Sequence, residues 1–196
     1  MTATELQIYT DGSCINNPGP GGWAFIITDQ DGNTLLSDAG GEIHTTNNQM
    51  EMWAVHRALN ALECGRLFHA LPSDVPAVLF SDSEYVINGL TKWRANWEAN
   101  GMKNGKNKPV KNVTLWKILY DQADKVSDVS FQWVRGHSNN PFNETVDTLA
   151  QAESEKMKVG IGKPSGPAGL IQLYEKLEQE EAENIRLGLS SANAVA

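Results

Sequence analysis

Polar and apolar residues alternate through Leu6 and Ile8, the period of a half-buried strand, until residues 16–22 (NNPGPGG) break it with turn chemistry. Residues 23–28 read as a second strand, Asp31-Gly32 as a hairpin turn and residues 34–39 as a third strand pairing back. Thr45 and Thr46 are candidate caps for a helix reaching about residue 64, with Met50, Ala54, Ala58, Leu59 and Leu62 on its apolar side. The continuous apolar run 75–80 predicts a buried central strand. A short helix is expected over 83–90, and an amphipathic one over 113–124 carrying Leu115, Trp116, Leu119 and Ala123. Val129, Phe131 and Trp133 alternate as a fifth strand, residues 136–141 form a loop, and a last core helix starts near Asn143. Three antiparallel strands followed by two joined through helices predict an α/β fold: a five-stranded mixed sheet flanked by helices.

Beyond about Lys158 the pattern changes. Residues 160–169 (GIGKPSGPAG) have linker chemistry. Residues 170–187 then set Leu170, Ile171, Tyr174, Leu177 and Ile185 among many glutamates, a candidate amphipathic helix. One domain over 1–158 and an extension over 159–196 are expected; the extension packs on the core, binds a protein partner or stays disordered. At 196 residues, 40% hydrophobic and 20% charged, the chain suffices for one well-buried core. Its start has neither a basic n-region nor an apolar h-region, and no apolar run approaches the roughly 18 residues of a membrane span. Cys14 and Cys64 stand alone, without the spacing of a disulfide framework or a zinc site. A cytoplasmic protein without membrane association is the expectation.

Charge is segregated. Between Lys92 and Lys111 six basic residues face one acid, Glu98, for +5, so that the remainder carries −13 within a net charge of −8. Trp93 and Trp97 interleave with these cations, and lysines that track phosphates beside indoles that stack are the footprint of a nucleic-acid groove. A solvated loop whose lysines keep the chain soluble accounts for the same composition.

Four acids stand in distinctive frames: Asp11 in YTDGS, Glu51 in NNQME, Asp82 in FSDS and Asp147 in NETVD. Each falls where a strand end or a helix directs it to one shared site, and Asp82 lies just past the carboxyl end of the expected central strand, where open α/β sheets bind ligands. Any one of them alone is more simply a solvated carboxylate or a helix cap. Four gathered carboxylates repel one another and require a cation, and hard oxygen ligands favour magnesium or manganese over zinc.

The segments TDGSCINNPGPGGWA, TTNNQMEMWA, SDSEYV, KPVKNVTLW and WVRGHSNNPFNETVDTLA follow one another between about residues 5 and 155. On these motifs the chain resembles ribonuclease H of type 1, the bacterial-type family that cuts the RNA strand of RNA/DNA hybrids. The resemblance implies that Asp11, Glu51, Asp82 and Asp147 are catalytic carboxylates holding two Mg2+ ions, with Mn2+ able to substitute. Asp11 would be shared between both ions, and the products would carry a 5′-phosphate and a 3′-hydroxyl. His137 would be a mobile-loop histidine assisting proton transfer or product release, as an imidazole with an ordinary pKa of about 6.5 can. Contacts to RNA 2′-hydroxyls would come from Ser13, Cys14, Asn17, Asn47, Asn48 and Gln49. The DNA strand would cross Trp93 and Trp97, with a phosphate near Thr46 and Asn112 and further phosphates near Lys103, Lys106 and Lys108. The partner is then the hybrid duplex, the state a monomer, and the sequence preference slight. Two other readings stay open: a hybrid-binding module without activity, and another nuclease of the same fold such as a junction resolvase or an integrase.

Overall fold

The computed structural model describes residues 5–126, 128–136 and 140–186. Strands β1 (Leu6–Cys14), β2 (Gly19–Thr28) and β3 (Thr34–Thr45) form an antiparallel meander. Strand β4 (Ala77–Ser81) joins the other side of β1 in parallel, and β5 (Val129–Trp133) extends it in parallel, for the order β3-β2-β1-β4-β5. The expected mixed five-stranded sheet is therefore observed.

Two of its strands run further than their hydrophobic pattern suggested. β2 begins at Gly19 rather than Trp23, and β3 continues past Ala39 to Thr45. The glycines of the segment read as a breaker pair across the sheet, Gly21 opposite Glu42 and Gly22 opposite Gly41. They are small because other backbone lies on them: a Cβ at Gly22 would stand 2.0 Å from the carbonyl oxygen of Ala150. Glycine inside a strand marks such close approach as often as it marks a turn.

Alternation along β1 and β2 divides the molecule into two layers around the sheet. Ile8, Trp23, Phe25 and Ile27 face the larger core, built with helix α1 (Asn47–Leu67) and helix α4 (Val113–Asp124). Tyr9, Ala24 and Ile26 face the other side, where Val146 and Ala150 of helix α5 (Pro141–Lys158) cover them. Thr46 starts α1 through a capping box: its hydroxyl accepts from the Gln49 N–H at 3.3 Å, and the Gln49 side chain accepts from the Thr46 N–H at 3.1 Å. Asn140 caps α5 with Pro141 in its first turn.

The short helix expected over 83–90 is part of a longer run. Helix α2 (Glu84–Asn88) passes through a π-helical stretch, Gly89–Trp93, into α3 (Arg94–Ala99). The run ends at Gly101, whose φ is 63°. The Trp116 ring occupies the space a side chain would need at Gly89, with a Cβ there only 2.0 Å from the indole. Trp97 in turn packs on Trp116 at 5.5 Å between ring centroids.

Past α5 the chain stays on the domain. Pro164 bridges Gly41 at the outer edge of β3, the Ser165 N–H donates to the Gly41 carbonyl at 2.8 Å, and Trp53 Nε1 donates to the Ser165 carbonyl at 2.8 Å. Helix α6 (Ala168–Arg186) follows and packs on α4, with Leu170 and Ile171 against the larger core. Among the described residues, no helix is long and apolar enough to cross a membrane.

Candidate active site

The parallel ladder between β1 and β4 ends at the pair Tyr9–Phe80. Asp11 stands on β1 past that point, and Asp82 follows the last residue of β4. Glu51 enters from the first turns of α1, because Gly12 lets β1 touch that helix: a Cβ at Gly12 would be 2.2 Å from the Glu51 nitrogen. Asp11, Glu51 and Asp82 thereby offer carboxylate oxygens within 4.8 Å of one another. Asp147 comes from α5 on the opposite layer, within hydrogen-bonding reach of Asp11, and its Oδ1 accepts from Gln151 Nε2 at 2.5 Å.

This cluster is electrostatically unfavourable as it stands. Asp11 is buried, and burial first, then the charges of Asp82 and Asp147, push its carboxyl up to about 8. Glu51 is raised well above the ordinary glutamate range by burial, then by Asp11 and Asp82. Glu51 Oε1 accepts from Asn47 Nδ2 at 3.3 Å, but Oε2 is buried with no hydrogen-bond partner among the described residues. A buried carboxylate oxygen left without a donor, amid like charges and hard oxygen ligands only, fits a divalent cation. A bound cation would favour the ionised carboxylates and so oppose these upward shifts.

Residues 3–155 match the family model RNase H. The chain belongs to the RNase H family. Ribonuclease H of Ruegeria sp. (strain TM1040) is 46% identical over 151 residues, 76% of this chain and 90% of that protein. Ribonuclease H of Alcanivorax borkumensis is also 46% identical, over 161 residues, 82% of this chain and 99% of the relative. Among solved structures, LC9-RNase H1, a type 1 RNase H with the type 2 active-site motif, aligns at a TM-score of 0.66 and 25% identity, over 80% of this chain and 75% of that one. LC11-RNase H1 in complex with RNA/DNA hybrid aligns at 0.58 and 27% identity, over 77% and 97%. The RNase H match ends at residue 155, inside α5 and short of α6.

Within this RNase H domain the other anticipated residues fall into separate groups. Asn17 Oδ1 accepts from the Asn47 N–H at 3.2 Å, which ties the β1–β2 turn to the start of α1. Cys14 Sγ lies 3.4 Å from the Thr45 carbonyl, and Ser13 pairs opposite Gly22. Ser13, Cys14, Asn17, Thr46, Asn47 and Gln49 thus cluster where β1 ends and α1 begins, and Asn48 is exposed on the first turn. Trp93 and Trp97 lie 5.3 Å apart and are only half-exposed, because Trp97 leans on the core. Lys103, Lys106 and Lys108 are exposed on the loop between α3 and α4. Asn112 takes φ 57° at the start of α4, and its side chain reaches the Tyr85 hydroxyl. His137 lies outside the described residues.

Four positioning residues escaped the sequence reading. Gly12 and Gly22 seat the two helices that carry Glu51 and Asp147. Gly136 brings the loop after β5 onto the site, since a Cβ there would be 2.5 Å from Asp82 Oδ2. Trp133 Nε1 donates to the Asp82 carbonyl at 2.9 Å and fixes the backbone beneath that acid. The available signal was a glycine next to a frame acid or inside a strand pattern, and it reads equally as a turn.

Proposed function

We propose that this protein is an endoribonuclease that hydrolyses the RNA strand of RNA/DNA hybrids. The observation that carries the reading is the packing of Asp11, Glu51 and Asp82 within 4.8 Å, with Asp147 at hand and Glu51 Oε2 unpartnered. Relatives bearing the name Ribonuclease H, and a structural relative in complex with RNA/DNA hybrid, support the same substrate.

Asp11, Glu51, Asp82 and Asp147 are the catalytic carboxylates and the ligands of two Mg2+ ions, for which Mn2+ substitutes. Such ions supply Lewis-acid activation of water and neutralise charge on the leaving oxygen of an in-line displacement. Asp11 is the member common to both sides of the site, in contact with Asp147 as well as with Glu51 and Asp82. Gly12 and Trp133 keep Glu51 and Asp82 in place without touching substrate. His137, which follows Gly136, moves the proton at the leaving group or assists product release. The products carry a 5′-phosphate and a 3′-hydroxyl.

Ser13, Cys14, Asn17, Asn47, Asn48 and Gln49 read the RNA 2′-hydroxyls, which distinguishes RNA from DNA. Thr46 and Asn112 hold a DNA phosphate, Trp93 and Trp97 face the DNA strand, and Lys103, Lys106 and Lys108 add phosphate contacts. Sugar and backbone contacts dominate, so sequence preference is slight. The protein acts as a cytoplasmic monomer.

Labelled RNA/DNA, RNA/RNA and DNA/DNA duplexes incubated with and without magnesium test the reading. Only the RNA strand of the hybrid should be cut, and only with metal. Cutting of DNA duplexes would move the protein to another nuclease class of this fold, and binding without cutting would make it an inactive hybrid-binding module.

A further inference from the structure

Helix α6 carries a carboxylate to the start of α4. The first turn of α4 opens at Asn112, which contributes no side-chain cap, and the free N–H groups of such a turn attract anions. Thr114 in that turn donates its hydroxyl to Glu175 Oε1 of α6 at 3.1 Å. Glu175 and Thr114 line a hollow of about 260 Å3 together with Gln49, Val110, Asn112 and Ile171. Gln49 is the capping-box partner of Thr46, so the hollow joins the starts of α1 and α4. An acidic side chain therefore sits in the same hollow as two polar residues assigned to nucleic acid.

The placement is anchored at several points. Leu170 and Ile171 pack on the core, the Tyr174 hydroxyl donates to Asp121, and Lys117 Nζ pairs with Glu178 at 2.5 Å. The strap before α6 is tied to Gly41 and Trp53 through Ser165. α6 itself carries Glu175, Glu178, Glu180, Glu181 and Glu183 against Lys176 and Arg186, and Glu178 engages one α4 cation, Lys117.

We propose that Glu175 competes with a backbone phosphate of the substrate for the hollow between the starts of α1 and α4, making α6 an intramolecular brake on nucleic-acid binding. The inference rests on the assignment of Asn112 and Thr46 to a substrate phosphate. A carboxylate fixed by its own helix occupies an anion-attracting position at high effective concentration, so the incoming phosphate must displace or tolerate it. The brake weakens as salt screens the two anions from each other.

The test uses the full chain with Glu175→Gln, which keeps an acceptor for Thr114 but removes the charge, and Glu180→Gln as a control further along α6. Binding to an RNA/DNA hybrid is measured in calcium across a salt series, alongside KM and kcat in magnesium. Glu175→Gln should bind about 3- to 10-fold more tightly at low salt, converging with the unaltered protein at high salt, as removal of one nearby charge predicts. KM should fall by a similar factor with kcat held, and Glu180→Gln should change little. Equal affinity and salt dependence for Glu175→Gln, with hybrid cleavage intact, would overturn the brake while leaving the enzymatic reading in place. Equal gains in both variants would reduce the effect to the overall charge of α6 and overturn the role of the hollow. Loss of thermal stability without any gain in affinity would make Glu175 a helix cap and nothing more. Failure of the unaltered protein to cut hybrid would remove the enzymatic reading alone, and failure to bind hybrid in calcium would remove the brake with it.

Discussion

Two acidic regions of this molecule obey opposite rules. Where the ladder between β1 and β4 ends, Asp11 and Glu51 are each only 6% exposed, with Asp82 beside them, and burial, then like charges, hold the Asp11 and Glu51 carboxyls above their ordinary range. On α6, Glu175 and Glu178 are exposed and answered individually, by the Thr114 hydroxyl and the Lys117 ammonium. The first arrangement costs stability and is held by a rigid frame of sheet and helix, which is the mark of a chemical site. The second contributes little to stability, as exposed pairs do, and is suited to modulating what approaches.

The sharpest way to break that contrast is Asp11→Asn. Rate should fall by at least about 10³-fold, because the acid common to both halves of the metal site is lost, while hybrid binding in calcium persists. The metal-free protein should become more stable, since one member of a repelling cluster is neutralised, and Tm should rise by about 2–4 °C for each kcal/mol relieved. Substantial magnesium-dependent cleavage by a clean Asp11→Asn preparation would sink the carboxylate assignment, and a fall in Tm would sink the account of strain.

Backbone approach offers a second comparison. Gly12→Ala drives a Cβ to 2.2 Å from the backbone of α1, and neither strand nor helix can yield cheaply. A loss of about 1–3 kcal/mol is expected from such overpacking, together with weaker magnesium binding as Glu51 is pushed from Asp11. Gly169→Ala, in the first turn of α6, meets nothing within 4 Å. It should leave stability unchanged or raise it by up to about 1 kcal/mol, through the lower entropy of the unfolded chain. Thermal melts and calorimetric magnesium titrations of both variants check this, and equal destabilisation would show that α6 is packed as tightly as the site.

These glycines also show where the sequence was legible and where it was not. The four acids could be read because each follows or enters a strongly patterned element, as Asp82 follows the apolar run of β4. The core layers followed from alternation, as in Ile8 and Tyr9 facing opposite helices. The extension of β3 through Gly40 and Gly41 was not readable, since its cause is packing from residues more than a hundred positions away, such as Met157 on Gly41. For the same reason the seat of α6 was hidden: Thr114, Lys117 and Asp121 reveal nothing of their partners until α4 is folded. Trp93 and Trp97 could be read only as neighbours of the basic segment; the stack in which Trp93 meets Tyr85 and Trp97, and Trp97 meets Trp116, needed the π-helical stretch that no periodicity announces.

The smallest effect concerns pH in the absence of metal, where two buried groups pull in opposite directions. Asp11 is raised from 3.8 to about 8, so the folded state binds a proton that the unfolded chain has released. Its stabilising contribution is complete below about pH 4 and is lost as pH rises towards 8. His56 is the reverse case: stacked on Trp53 at 4.5 Å, with Nδ1 unpartnered among the described residues, it is lowered from 6.5 to about 4, chiefly by burial. The folded state therefore resists protonation of His56, and stability is lost as pH falls from 6.5 towards 4. Between pH 6.5 and 8 the carboxylates act without opposition from His56, and Tm in EDTA should decline across that window. Magnesium should flatten the decline, because a bound cation favours the ionised carboxylates, whereas salt at equal ionic strength should not. Asp11→Asn should remove much of the slope in EDTA, leaving the part due to Glu51. A Tm that stays level from pH 6.5 to 8 without metal would mean that Asp11 and Glu51 are relieved of their repulsion by something other than a cation.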